Sequence, residues 1–372
     1  MNTPKPTPAG EPIVITPDLL FKLLQNLARS GYRLIGPTVR DSAIVLEEIE
    51  GGDDLPIGWT DQQEAGTYRL SQRADGALFG YNVGSDSFKK FLYPPQQILW
   101  QAKRGGSGFE FQPFEDKPSK FAFIGVRPCE LSAIAIQDRI LAHDEFCDEF
   151  YKRRRQDTFI LTVNCTQAGS TCFCASMNTG PRATGGYDLA ATEIIDDSRH
   201  FFVVEIGSEL GRSIISKIDH EPASTEILAL VQQILSRAAE RMGRSLDTDG
   251  LRELLFRNVD NIAWDQVGRR CLTCANCTLV CPTCFCSTLE DTTDLTGNHA
   301  ERMRRWDSCF TMDFSYLHGG SVRFSPKSRY RQWLTHKLAG WHDQFGSSGC
   351  VGCGRCITWC PVGIDITEEA RA

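Results

Sequence analysis

The sequence lacks any long apolar run and any nucleotide-binding signature. No stretch approaches the roughly 18–20 apolar residues that a membrane-spanning helix needs, and residues 1–12 are polar and proline-rich, unlike an export signal. A P-loop and a G-x-G-x-x-G motif are missing, and the glycines at 105–108 have neither that spacing nor a strand–helix context. We therefore expect a cytoplasmic chain with no membrane span and with no flavin, NAD or substrate site of its own.

Positive charge and histidine are also scarce. The net charge is −7, which argues against a nucleic-acid partner. The seven histidines form no metal-type pair with carboxylates, and no Ser-His-Asp set can be nominated, so no catalytic residue is predicted. With 41% hydrophobic and 23% charged residues, the 372-residue chain has an ordinary globular composition and predicts two or three folded domains.

Cysteine, by contrast, is abundant. Most of the sixteen cysteines lie in Cys-x-x-Cys or Cys-x-Cys spacings. Neighbours so close in sequence are poor partners for structural disulfides but good chelators. The cysteine pattern therefore predicts metal centres.

Two cysteine runs share the spacing C-x2-C-x2-C-x3-C-P, which is the pattern of bacterial [4Fe–4S] ferredoxins. Three close thiolates reach three corners of one cubane, whereas the fourth, next to a chain-turning proline, points at the other cluster. We therefore predict two [4Fe–4S] clusters with exchanged fourth ligands. The predicted ligands are Cys271, Cys274, Cys277 and Cys360 for one cluster, and Cys350, Cys353, Cys356 and Cys281 for the other. The alternative is zinc, which usually uses two separated pairs of ligands.

A third cluster is predicted in the N-terminal part. Residues 121–126, 130–141 and 158–164 predict a β-α-β unit with parallel strands. Cys129 and Cys165 follow its two strands, at the sheet edge where open α/β folds bind ligands, and Cys172 and Cys174 come shortly after. The alternatives are reduced, partly buried thiols, or a set in which Cys284, Cys286 or Cys309 replaces a member. These last three are also candidates for a further site, and Cys147 is taken as structural.

Periodicity divides the chain into an α/β N-terminal domain and a C-terminal α+β ferredoxin-like dicluster domain with a helical insertion. The expected parts are a flexible leader (1–14), the α/β domain (15–245), the dicluster domain (246–372) and its insertion (301–345). We expect helices at 17–28, 224–242 and 249–267, and, in the insertion, at 301–317 and 326–344. We expect further strands at 32–36, 43–48, 187–195 and 201–207, and irregular β structure with loops at 51–120. The insertion is basic and carries Trp306, Trp333 and Trp341, which predicts either a docking surface or packing onto the ferredoxin core.

Several separated motifs carry a family resemblance. They are Gly125-Val126-Arg127-Pro128-Cys129-Glu130, Asn164-Cys165, Thr171-Cys172-Phe173-Cys174, Met177-Asn178-Thr179-Gly180-Pro181, Cys281-Pro282-Thr283-Cys284-Phe285-Cys286, Trp306-Asp307-Ser308-Cys309 and Cys350-Val351-Gly352-Cys353-Gly354-Arg355-Cys356. From about residue 120 onward the chain resembles the beta subunit of soluble multimeric [NiFe]-hydrogenases, the sulfhydrogenases. The related electron-transfer subunit of anaerobic sulfite reductases shares most of these motifs.

The resemblance implies an electron-transfer subunit of an oxidoreductase complex. Its expected partners are a flavin subunit that handles NAD(P)H and the small and large subunits of a [NiFe]-hydrogenase. The alternative is the equivalent subunit of a sulfite reductase complex. An alternative of another class is a non-redox iron–sulfur or zinc scaffold.

Overall fold

The computed structural model describes residues 10–82, 84–106, 108–114, 119–143, 147–196 and 199–371. Its strands are β1 Ile13–Ile15, β2 Arg33–Arg40, β3 Ala43–Glu48, β4 Trp59–Glu64, β5 Thr67–Gln72, β6 Gln96–Gly105, β7 Gly108–Pro113, β8 Phe121–Val126, β9 Phe159–Val163, β10 Leu189–Ile195, β11 His200–Ile206, β12 Glu221–Pro222, β13 Ser287–Thr293, β14 His299–Trp306, β15 Tyr316–Leu317 and β16 Gly320–Ser321.

The α-helices are α1 Pro17–Arg29, α2 Lys89–Leu92, α3 Pro128–Leu141, α4 Glu149–Gln156, α5 Glu209–Ile215, α6 Thr225–Glu240, α7 Leu251–Arg257, α8 Ala263–Arg270, α9 Asn276–Leu279, α10 Pro326–Thr335, α11 Trp341–Phe345, α12 Arg355–Thr358 and α13 Ile366–Glu369. A π-helical turn, His336–Gly340, joins α10 to α11. In the described part of the chain, no helix is both long and apolar enough to cross a membrane.

An eight-stranded sheet with the order β12-β1-β11-β10-β9-β8-β2-β3 organises the N-terminal part. Its central strands β2, β8, β9 and β10 are parallel to one another, and the outer pairs are antiparallel. Strands β8 and β9 are buried along their whole length, as parallel strands covered on both faces must be. The predicted β-α-β unit is confirmed, with β8 and β9 as direct neighbours.

The two faces of this sheet bury different cores. Ala122 and Ile124 of β8 lie in the apolar cluster that includes the buried leucines of α1. Phe121 and Phe123 point to the opposite face, in the cluster that includes Tyr151 of α4. This alternation follows from the period of two along a strand.

The end of β8 carries a β-bulge at Gly125, which has φ +78°. A side chain there would be strained and would meet the ring of Phe79 at 2.9 Å. The bulge leads the chain into α3, which begins with Pro128. At the first position of a helix the N–H has no partner within the helix, so proline loses no hydrogen bond there.

A second sheet, with the order β13-β14-β6-β7, combines two strands from the N-terminal part of the sequence with two from the C-terminal part. Strand β14 pairs on one side with β13 and on the other with β6. The prediction of a helix over 301–317 is therefore wrong, and the insertion is helical only in its later part, at 326–345. The first part is rich in Glu, Met and Arg, which favour helices locally, but tertiary pairing overrides that preference.

Other expectations need smaller corrections. Residues 51–120 contain two hairpins, β4–β5 and β6–β7, rather than mostly irregular structure. The helix expected at 249–267 is interrupted between α7 and α8. Of the expected leader, residues 1–9 lie outside the described residues, whereas Ile13 and Val14 belong to β1.

The tryptophans of the insertion are mostly internal. Trp333 is buried against Phe310 and Tyr330, and Trp341 is buried beside Phe285. Arg329 is buried too, and its guanidinium donates to the Phe310 carbonyl. These side chains pack the insertion onto the rest of the protein, so they are not free to form a docking surface.

A buried ion pair links the two cysteine-rich regions. Arg355, at the start of α12, donates to the Glu130 carboxylate on α3, and both side chains are 2% exposed. Glu130 also accepts from the Ser87 hydroxyl and the Phe88 amide, at 2.6 and 2.8 Å. The carboxylate therefore has a full set of donors in the interior.

We expect Glu130→Gln to lower the free energy of unfolding by about 3–5 kcal/mol, because it leaves a buried guanidinium without its counter-charge. Urea unfolding of the anaerobic protein measures the loss. The matched control is Glu48→Gln, whose ion pair with Arg33 is about half exposed and should contribute less than about 1 kcal/mol. Equal effects from the two variants would contradict this role of the buried pair.

Candidate iron–sulfur sites

The first group of thiols lies between α8 and α12, and we call it the outer set: Cys271, Cys274, Cys277 and Cys360. After burial, the charge of Cys360 is among the causes that raise the pKa of Cys271 and of Cys277. The cysteine of the distant run therefore lies beside the first run. The four residues line a cavity whose other walls include Phe310, Tyr330 and Trp333. Cys274 is exposed, whereas the other three are half-buried.

The second group, the middle set, is deeper: Cys350, Cys353, Cys356 and Cys281. The charge of Cys281 acts on each of the other three. Burial is the main reason that the pKa of Cys350 is raised to about 12. Cys281 comes from the first run and Cys360 from the second, so the structure places each fourth cysteine beside the three thiols of the other run.

The two runs fold alike, with left-handed residues at equivalent positions. Thr273 and Ala275 in the first run have φ +52° and +69°, and Gly352 and Gly354 in the second have φ +63° and +76°. In the second run a Cβ would meet the backbone of Phe173 at 2.6 Å or of Thr171 at 2.5 Å. Glycine is therefore required where the second run presses against the N-terminal part, and larger residues are accepted where the first run faces open space.

The third group, the sheet set, lies at the carboxyl edge of β8 and β9: Cys129, Cys165, Cys172 and Cys174. Burial, followed by the charge of Cys174, holds the pKa of Cys129 well above its ordinary value. Cys165 acts on the other three thiols and itself interacts with the side chain of Arg127. The structure places these four cysteines near one another, and their joint ligation of a cluster stays a prediction.

The three groups form a continuous series. Cys356 of the middle set lines the cavity of the outer set, and the charge of Cys277 is among the causes that raise its pKa. On the other side, the Cys172 thiol donates to the Cys353 carbonyl at 3.9 Å, and the Phe173 amide donates to the Gly352 carbonyl at 2.8 Å. The order is outer set, middle set, sheet set.

The remaining cysteines do not join the sheet set. The Cys284 thiol lies beside that of Cys281 of the middle set, and Cys286 and Cys309 lie close to each other near Lys337. We call Cys284, Cys286 and Cys309 the hairpin cysteines, because they flank the open end of the β13–β14 hairpin. Cys147 has no cysteine neighbour among the described residues.

Buried cations surround the middle and sheet sets, and sequence reasoning missed them. The Lys337 ammonium donates to Cys281 Sγ at 3.4 Å, to Thr283 Oγ1 at 3.0 Å and to the Gly349 carbonyl at 3.1 Å. Lys89 donates to the carbonyls of Cys281 and Cys284 at 2.9 and 3.0 Å. A single lysine carries no motif, so no signal in the sequence could have found either.

A hydrogen bond with Cys284 and the charge of Lys337 hold the pKa of the Cys281 thiol well below its ordinary value. Lys337 and Lys89 are each 3% exposed, and within the described chain neither has a carboxylate partner within 4 Å. Burial lowers the pKa of Lys337, but the charges of Cys281, Cys284 and Cys350 outweigh it and raise the pKa. A buried ammonium needs a compensating anion, and the neighbouring cysteine sulfurs supply it for Lys337. Burial lowers the pKa of Lys89, and the charges of Cys284, Cys281 and Glu130 offset part of that effect. Such a donor set, with backbone N–H groups directed at Cys271, Cys350 and Cys360, fits an iron–sulfur cluster.

Among the described residues, no group of three or more His, Cys, Asp or Glu side chains is placed to hold a single metal ion. Residues 270–364 match the family model of the 4Fe-4S dicluster domain, and this segment contains both four-cysteine runs. Sulfhydrogenase 2 subunit beta of Pyrococcus furiosus is 27% identical over 355 residues, which are 93% of this chain and 94% of that protein. The predicted resemblance is confirmed. The similarity to that sulfhydrogenase protein extends through the N-terminal part, where the motifs had not revealed it. No solved structure matches the chain at a significant level.

Proposed function

We propose that this chain is a cytoplasmic iron–sulfur electron-transfer subunit of a sulfhydrogenase-type oxidoreductase complex. Its partners are a flavin subunit that uses NAD(P)H and the small and large subunits of a [NiFe]-hydrogenase. The observation that carries the proposal is the continuous series of three four-cysteine sets. The similarity to a sulfhydrogenase beta subunit supports the type of complex.

The residues of the three sets would hold three [4Fe–4S] clusters. A cluster held by thiolates accepts and releases one electron at a time. The chain's own residues fix the thiolates on short loops, exclude water from the middle set and supply positive charge next to it. No residue of the chain is assigned to bind a substrate.

Iron content and ligand exchange test the proposal. Anaerobic protein should hold at least about twelve irons per chain, for three cubanes. Cys360→Ser should damage the centre that contains Cys271, Cys274 and Cys277, because Cys360 lies with them. The matched control is Cys147→Ser, which should lose no iron.

About eight irons or fewer in reconstituted protein would contradict the assignment of three clusters. If Cys360→Ser perturbed only the centre at Cys350, Cys353 and Cys356, the exchange of fourth ligands would be wrong. Zinc in place of iron would favour a scaffold. Hydrogen consumption by the purified complex supports a hydrogenase, whereas sulfite consumption would indicate a sulfite reductase.

Lys337 should set the potential of the centre at the middle set. Lys337→Met removes a positive charge that stabilises the reduced, more negative state. For a charge about 5 Å away and an effective dielectric constant of about 20, the change is about 3 kcal/mol, or on the order of 100 mV for one electron. We expect the midpoint potential of that one centre to fall, as measured by an EPR-monitored redox titration.

The matched control for that titration is Lys327→Met on the same helical segment. Lys327 is 34% exposed and pairs with Asp265, away from the cysteine sets. An equal fall in both variants, or no change in Lys337→Met, would contradict the role of Lys337.

The exposed side of the outer set is where a partner subunit should dock. Leu272, between two cysteines of that set, is 61% exposed and lines the mouth of its cavity with Val362. Leu272→Glu should weaken binding of the partner at least about tenfold, equivalent to about 1.4 kcal/mol, while iron content is unchanged. Copurification and reduction of the chain by its partner measure the effect. Leu295→Glu, at a fully exposed turn residue, is the control, and loss of binding in both variants would contradict a specific surface.

A further inference from the structure

The hairpin cysteines are the thiols that the proposed function leaves unused, and the geometry of the hairpin places them together. Ser287 of β13 pairs with Trp306 of β14, so the residues just beyond this pair face each other. The Asp307 amide donates to the Cys286 carbonyl at 2.9 Å. Two residues further on, the backbone N–H of Cys309 lies near enough to the Cys286 sulfur to favour negative charge on it. Cys286 and Cys309 are thus held on one side of the open end of the hairpin.

Cys284 lies near the same thiols, on the segment that leads into β13. Its thiol lies beside the thiol of Cys281, and the charge of Cys286 also raises its pKa. The segment is fixed on both sides, because the Tyr93 hydroxyl donates to the Phe285 carbonyl at 3.2 Å and the ring of Phe285 stands edge-on to Trp341. The three thiols are therefore positioned by the fold, not by a loose loop.

A buried cation lies beside the hairpin cysteines. The Lys337 ammonium interacts with all three of them, and it donates to Cys281 Sγ at 3.4 Å and to Thr283 Oγ1 at 3.0 Å. Positive charge at this position complements the negative charge of an iron–sulfur cluster and its thiolate ligands.

Asp307 supplies an oxygen ligand beside the three sulfurs. Its charge acts on Cys286, so its carboxylate lies next to that thiol. One carboxylate oxygen accepts from the Ser308 amide at 2.7 Å, and in the described part of the chain the other oxygen accepts no hydrogen bond. Asp307 also forms no ion pair with a described residue.

We infer that Cys284, Cys286 and Cys309 hold a fourth iron–sulfur cluster, with the Asp307 carboxylate as its fourth ligand. The inference rests on the proposed function, because it takes the neighbouring middle set to be an iron–sulfur site. It goes further in one respect: the middle set then has three neighbours, the outer set, the sheet set and the hairpin cysteines. Electrons that reach the middle set would have two onward routes, so the chain would be a branch point and not a single line.

Iron and acid-labile sulfide in the full chain, purified anaerobically and without its partners, test the fourth site. Wild type should hold about sixteen irons, for four cubanes. Cys286→Ser and Cys309→Ser should each lose about a quarter of the iron, and Cys147→Ser none. Wild-type iron in the first two variants, or zinc at this site, would overturn the inference.

Asp307→Cys keeps the inference testable even if the serine variants fold poorly. It should retain the iron and change the EPR spectrum and potential of one centre only, because a thiolate replaces an oxygen ligand. An unchanged spectrum would overturn the assignment of Asp307.

The total iron separates failure of this inference from failure of the proposed function. About twelve irons, unaffected by Cys286→Ser, would leave the three-cluster chain intact and remove the fourth site. About eight irons or fewer would remove both.

Discussion

The compensation of buried negative charge is the constraint on which this structure depends. A set of four thiolates placed away from water is costly unless positive groups or hydrogen-bond donors lie against it. The protein recruits such groups from distant parts of the chain: Lys89 and Arg127 come from the N-terminal part, and Lys337 and Arg355 from the C-terminal part. The cysteine-rich segments can reach the interior only because these four side chains arrive there as well. The two halves of the sequence therefore have to fold onto each other around the same charges.

The contrast between the two cysteine runs shows how the same local geometry serves two environments. Both runs use left-handed backbone at equivalent positions, but only the second uses glycine there. The first run borders a cavity that opens towards solvent, so Thr273 and Ala275 find room for their side chains. The second run touches the loop that carries Cys172 and Cys174, and any Cβ at Gly352 or Gly354 would separate them. The close approach of the middle set to the sheet set therefore depends on Gly352 and Gly354.

Local patterns were sufficient to predict much of this molecule. The spacing of the two runs predicted which cysteines share a set, and the buried strands Phe121–Val126 and Phe159–Val163 predicted that Cys129 and Cys165 lie at one sheet edge. What could not be predicted depends on contacts between distant segments. Strand His299–Trp306 has a helix-forming composition and becomes a strand because Gln96–Gly105 lies beside it. Lys337 resembles any other lysine of a basic segment until the fold brings it to Cys281.

The shared sheet of β13, β14, β6 and β7 has a consequence for how the protein is made. During synthesis, β6 and β7 leave the ribosome long before β14 exists, so β6 presents an unpaired edge while residues 114–298 are made. Exposed strand edges are sites of wrong association. The α/β part also lacks a hydrogen-bond partner until Gly352 is made, because the Gly352 carbonyl accepts from the Phe173 amide. The contacts of the N-terminal part are therefore completed only after most of the chain has been made.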